Sequence, residues 1–258
     1  MGEPDVVPEI LSNPLNLYVI IAILVAGAAI FTSMQFLSED DVGIFAFSLS
    51  VVFAGGAAVV AFFVSKQYQT GVLAKAYLFL GLGFTSYVTA ELLYYSFELV
   101  FNIEPYPSIA DVFFFALYPL VLGHLLLNIR FFNSGFSKTQ KLWIPAIPVF
   151  AIVVYVTMSL GVPDAEANFD FYYGLIFVSG ASVTLSFTIV GALTFRQGTL
   201  GTVWLLLVIG LMINAAGDVW YYHLEIFGEY SDAHPVTTVW FVANMFVIYA
   251  LCKHIKTI

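Results

Sequence analysis

The sequence predicts an all-α integral membrane protein of eight transmembrane helices, arranged as a 4+4 parallel internal duplication with both termini cytoplasmic. Three observations predict it. Of 258 residues, 61% are apolar and 10% charged, with a mean hydropathy of +0.95; a soluble domain carries roughly 25% charged residues. Eight apolar runs approach or exceed the length of about 20 residues that crosses a bilayer. One polar motif also occurs twice: Gly83, Glu91, Tyr94, Tyr95 and Glu98 return as Gly210, Asp218, Tyr221, Tyr222 and Glu225, each pair 127 positions apart (218 against 91).

The predicted spans are Leu15 to Leu37, Val42 to Ser65, Leu73 to Phe101, Ile109 to Phe131, Leu142 to Leu160, Phe171 to Phe195, Leu200 to Phe227 and Val236 to Leu251. This divides the chain into an acidic lead-in (1–14), a first four-helix repeat (15–131), a cytoplasmic linker (132–141) and a second repeat (142–258). Every Lys and Arg falls in a connection of one parity: Lys66 and Lys75, then Arg130, Lys138 and Lys141, then Arg196, then Lys253 and Lys256. The other connections carry Glu39, Asp40, Asp41, Glu104, Asp164, Glu166, Asp170, Glu229 and Asp232 without a basic residue. The positive-inside rule therefore puts both termini in the cytoplasm of a plasma membrane and the acidic loops outside. A seven-span arrangement breaks this segregation. The net charge of −9 argues against nucleic acid as a partner. Cys252 is the sole cysteine, which excludes an intrachain disulfide. The first apolar run has no basic region before it and is too long for a signal-peptide core, so it reads as a retained helix.

Helices 1 and 2 offer small-residue faces, Ala26 to Ala29 and Ala54 to Ala58, which let membrane helices approach closely. Helix 3 carries the first polar stripe. Glu91 lies 16 residues after Lys75, about 24 Å in from the cytoplasmic edge. The loop Asn102 to Pro107 then leads to Ser108, a predicted N-cap for helix 4, with Asp111 three residues on as in a capping box. Tyr118-Pro119 re-angles helix 4. Helix 5 contains Pro145 and Pro148, and helix 6 has a small polar face (Ser179, Gly180, Ser182, Ser186, Thr188) suited to packing. Helix 7 carries Asn214 and the second stripe, and the loop from Gly228 to His234 enters helix 8 through Pro235. Four spans per unit give the two halves the same orientation about an axis along the membrane normal.

At about 100° per residue, each acid, the tyrosine three later and the acid seven later share a helix face. Ionisable groups inside a membrane are costly and mark a cavity, a partner or a task. The candidate ligand-binding set is therefore Glu91, Tyr94, Tyr95, Glu98, Asp218, Tyr221, Tyr222 and Glu225, lining an outward-facing pocket, with Ser108, Asp111, Asn214 and His234 secondary. With no basic residue nearby, clustered carboxyls need a cation, an amine-bearing ligand or shared protons. The competing reading is protonated acids bonded to tyrosines purely for assembly. His124 lies near the inside and His223 and His234 near the outside, so they do not converge on a catalytic metal. No lysine sits mid-span for a retinal Schiff base. No cofactor and no enzymatic activity are expected.

The run from Glu91 to Leu127 resembles the multi-span N-terminal membrane region found ahead of GGDEF-type diguanylate cyclases and related bacterial signalling proteins. Glu91, Tyr95, Glu98, Pro105, Pro107, Ser108, Ala110, Asp111, Tyr118, Pro119 and Leu120 carry the resemblance in the first half, and Gly217, Asp218, Tyr221, Gly228, Tyr230 and Trp240 in the second. The likeness covers about half of the chain and implies a membrane sensory module. Two departures stand out: His234-Pro235 replaces a different Gly and Asp pattern, and Ile258 follows the eighth span directly, where those proteins continue into an output domain. The expectation is a stand-alone sensor that passes a conformational change to a separate cytoplasmic partner. A small-solute or cation transporter and an accessory subunit of a membrane complex remain the alternatives. The partners considered are membrane lipid, a cytoplasmic signalling protein, other membrane subunits and a second copy of the chain.

Overall fold

The computed structural model describes residues 15–103, 105–132, 135–161, 166–195, 200–227 and 229–256. The predicted lead-in 1–14, the charges of Glu104, Asp164 and Arg196, and Gly228 lie outside the described residues. Among the described residues the chain is helical throughout, in eight helices long and apolar enough to cross a membrane. They are α1 (Leu17–Met34), α2 (Glu39–Gln67), α3 (Gly71–Tyr95), α4 (Ile109–Phe132), α5 (Lys138–Leu160), α6 (Phe169–Phe195), α7 (Gly201–Phe227) and α8 (Pro235–Ile255).

The helices begin where side chains can satisfy the orphan N–H groups of a first turn. Asn16 Oδ1 accepts from Tyr18 N (3.1 Å), Ser38 Oγ from Asp41 N (3.3 Å) and Asn168 Oδ1 from Phe171 N (2.9 Å). Ser137 and Gln140 form a reciprocal capping box that starts α5 at Lys138, inside the stretch 132–141 read as a linker. The third helix also departs from α geometry. Residues Ser96–Val100 form a π-helical turn, and Asn102 then closes the element with φ 50°, a left-handed conformation that asparagine tolerates.

Six helices close into a ring. In order around it come α2, α3, α4, α6, α7 and α8, with α8 packing back on α2. α1 lies outside the ring on α8, and α5 lies outside it on α6 and α7. Small residues seat these contacts, since lipid supplies little hydrophobic drive for helices to associate. A methyl group at Gly83 would meet Leu117 and Leu120 of α4 at 3.4 Å; at Gly210 it would lie 2.9 Å from Val247 Cγ2 and 3.0 Å from the Ala243 carbonyl oxygen of α8. The repeat's two glycines thus each seat the helix that follows. Gly210→Leu overpacks a seam with backbone on one side and should cost about 2 kcal/mol, read as a lowered melting temperature in detergent. Gly83→Leu meets its neighbours at ordinary contact distances, 3.4 Å to side chains and 3.5 Å to the Leu117 carbonyl oxygen, and should cost less; equal losses would sink this account.

Around the ring, one end of the bundle carries Asp41, Asp111, Glu229 and Asp232, and the other carries Lys66, Lys75, Arg130, Lys138 and Lys253. The middle is packed apolar core, including Leu80, Phe84, Val121, Leu125, Leu206 and Val247. Toward the basic end this core ends in a buried aromatic cluster. Tyr68 Oη lies 2.7 Å from His254 Nε2 and Tyr77 Oη 3.5 Å from His254 Nδ1. His124 Nδ1 lies 3.0 Å from the Ala76 carbonyl oxygen, and its ring stacks on Trp204. The sequence reading overlooked His254. The structure keeps His124 and His254 at this end and His223 and His234 at the other.

Candidate functional site: an acidic, aromatic cavity at the centre of the ring

Toward the acidic end the ring encloses a cavity of about 90 Å³, room for a few water molecules or one compact solute. All six ring helices contribute. Glu91, Tyr94 and Tyr95 come from α3 and Asn214, Asp218, Tyr221 and Tyr222 from α7. Asp111 and Tyr118 come from α4, Phe177 from α6, Ser50 from α2, and Thr237 and Trp240 from α8; Tyr230 and Asp232 enter from the loop before α8. Glu91 and Asp218 each lie nine residues from the acidic end of their element, Val100 and Phe227, about 13 Å inside it.

The two repeated acids are held differently. Asp218, 6% exposed, receives three donors: Tyr118 Oη (3.0 Å) and Asn214 Nδ2 (3.0 Å) on Oδ2, and Trp240 Nε1 (3.0 Å) on Oδ1. Glu91, 7% exposed, faces the hydroxyls of Tyr87 and Ser50. Asp111 and Asp232 bring the lining carboxyls to four, and Asp232 Oδ1 accepts from Tyr95 Oη and Tyr230 Oη, each at 3.2 Å. Among the described residues no Lys, Arg or His lines the cavity. Aromatic rings pack edge to face around it, with Tyr221 4.9 Å from Tyr222 and Tyr230 and 5.2 Å from Trp240.

The predicted set divides. Glu91, Tyr94, Tyr95, Asp218, Tyr221 and Tyr222 line one cavity, and so do the secondary residues Asp111 and Asn214. Glu98 does not join them: it falls in the π-helical turn, where a fifth residue per hydrogen-bonded loop breaks the 100° register, and its side chain is exposed. Glu225 is half-buried, interacts with the Tyr221 side chain and is outside the lining. Ser108 caps α4, its Oγ accepting from Ala110 N (3.1 Å) while Asp111 Oδ2 accepts from Ser108 N (2.6 Å). His234 caps α8 through Nδ1, which accepts from Val236 N (3.2 Å), and its ring meets Trp220. Burial lowers its pKa, while Glu229 raises it.

Sequence reasoning did not place Tyr118, Trp240, Asp232, Ser50 or Tyr87 in the site. For Ser50 and Tyr87 a signal existed, a polar atom mid-span in an apolar run. Asp232 had none, because its partner Tyr95 is distant in sequence.

Burial pushes the Asp232 carboxyl above its ordinary 3.8, against the pull of the Tyr95 and Tyr230 hydroxyls. A carboxyl raised in this way contributes stability that is complete below its unfolded value and is lost as pH rises through the folded one. Asp232→Asn should therefore match the parent in acid and become relatively more stable toward neutral pH. The difference in melting temperature measured against pH checks this, and a flat difference contradicts it.

Comparison with known proteins finds no matching family model, no matching curated protein and no matching solved structure.

Proposed function

We propose that this protein is a membrane receptor whose central cavity binds a small organic cation, an amine or ammonium group, and that its acidic end faces outward in the plasma membrane. The observation that carries the reading is the lining: four carboxyls (Glu91, Asp111, Asp218 and Asp232) and a wall of tyrosine and tryptophan faces, with no cationic side chain among the described residues. Buried carboxylates need a counter-charge or a proton, and aromatic faces attract cations by their quadrupole. Together they suit an ammonium group better than a bare metal ion. Among the described residues no three His, Cys, Asp or Glu side chains converge as metal ligands.

A receptor is favoured over a transporter by what lies beneath the cavity. Leu80, Leu125, Leu206 and Val247 pack as apolar core between it and the His254 cluster. Binding energy is thus available to tilt α3 and α7 against their neighbours, and a cytoplasmic partner would read the change at the basic end. An internal duplication is supported by the ring, in which α2-α3-α4 and α6-α7-α8 follow one another in equivalent order and each outer repeat glycine seats the next helix. The outer helices α1 and α5 pack on different neighbours. The likeness to the membrane region of diguanylate cyclases is consistent with a sensory role.

The test is thermal stability of the purified protein against methylamine, choline, sodium and potassium. A ligand of the folded state stabilises by about 2.7 kcal/mol at a hundredfold excess over its Kd. The amines should raise the melting temperature of the parent and not of the Glu91→Gln, Asp218→Asn variant. No shift in a folded parent would leave an accessory structural role as the better reading.

A further inference from the structure

We infer that the cation is the head group of a lipid-soluble amine, whose alkyl chain lies in the groove between α4 and α6 and which enters from the bilayer beside Tyr118. The inference rests on the amine reading of the cavity and names its ligand class.

A second, open groove of about 530 Å³ runs between these helices, lined by Leu122 on α4 and by Ile176, Val183 and Thr184 on α6. Tyr118 lines both the groove and the cavity, so the two spaces adjoin at this ring. Its hydroxyl reaches into the cavity to Asp218, and its ring lies over Gly180, where a methyl group would come within 2.8 Å. Pro119 follows it and has no N–H for the carbonyl of Phe115, which loosens the helix at this point. Rotation of the Tyr118 ring joins the two spaces.

Direction also fits. The cavity residues of α4 begin at Asp111, near the acidic end, whereas the groove extends to Leu122 and, on α6, to Thr184 in mid-helix. From Leu175 to Thr184 it runs about 13 Å toward the bilayer centre. A head held at Asp218, nine residues inside the acidic end of α7, with the tail running on toward the bilayer centre keeps the sense of an amphiphile in that leaflet. The acidic cavity supplies the charge complement to the head, and the apolar groove supplies the place for the tail.

The experiment uses the full chain in phosphatidylcholine nanodiscs, titrated with methylamine and with dodecylamine. Dodecylamine should raise the melting temperature at a concentration at least about tenfold lower, since the chain confines the amine near its site. Ile176→Trp and Val183→Trp fill the groove from positions that do not line the cavity. They should remove that advantage and leave the methylamine response intact, which also reports that the variants are folded. If both amines act alike, or if dodecylamine keeps its advantage in the filled groove, the tail does not lie there and only the cavity reading stands. If neither amine shifts the parent, the cavity reading fails and the groove inference with it.

Discussion

Asp218→Ala should destabilise the bundle by about 3 kcal/mol, the largest loss expected from any single cavity substitution. The carboxylate receives Tyr118, Asn214 and Trp240, and its removal strands three buried donors at roughly 1–3 kcal/mol each. Water admitted to the cavity, and the alternative partners a disordered membrane chain finds, hold the total near the lower bound. Asp218→Asn keeps an acceptor oxygen in the same place and should cost about 1 kcal/mol. Unfolding measurements on both variants decide the matter. Equal losses would mean that Asp218 contributes through its charge rather than as a hub of hydrogen bonds. Combining Asp218→Ala with Tyr118→Phe should recover about 1 kcal/mol, because contacting residues are non-additive.

Trp204→Ala should cost about 3 kcal/mol at the opposite end of the bundle. Trp204 is 1% exposed and stacks on Phe195 at 4.6 Å and on His124 at 6.1 Å, beneath Gly191. Truncation of a buried tryptophan costs about 3–5 kcal/mol in water-soluble cores through lost transfer and the cavity left behind. In a bilayer the transfer part shrinks, since lipid is as apolar as the core, so the lower figure applies. Trp204→Phe should restore most of the loss, and the proposed cation response should be the same in both variants as in the parent while they remain folded. A cation response abolished by Trp204→Phe would contradict the separation of the cavity from this cluster.

Eight spans were legible in the sequence because a bilayer demands runs of about 20 apolar residues, and this demand is local. Termini of helices were less legible: the Ser137–Gln140 capping box and the His234 cap are short polar signals beside long apolar ones. Within the site, Glu91 and Asp218 were legible because a carboxyl inside an apolar run is rare and costly. Their adjacent tyrosines followed from helical spacing. Glu98 and Glu225 obeyed the same spacing and do not line the cavity, one displaced by the π-helical turn and the other engaged with the Tyr221 side chain.

By itself, then, the sequence determined the membrane class, the all-helical architecture and the two acids around which the polar residues gather. Only the tertiary structure decided which side chains meet those acids. Tyr118 is 100 residues from Asp218, and Asp232 is 137 residues from Tyr95. It also decided that six helices close into a ring while α1 and α5 stay outside. The physical reason is the range of the forces: transfer into lipid acts on each segment alone, whereas packing and hydrogen bonding select among helix arrangements that lipid solvates almost equally well.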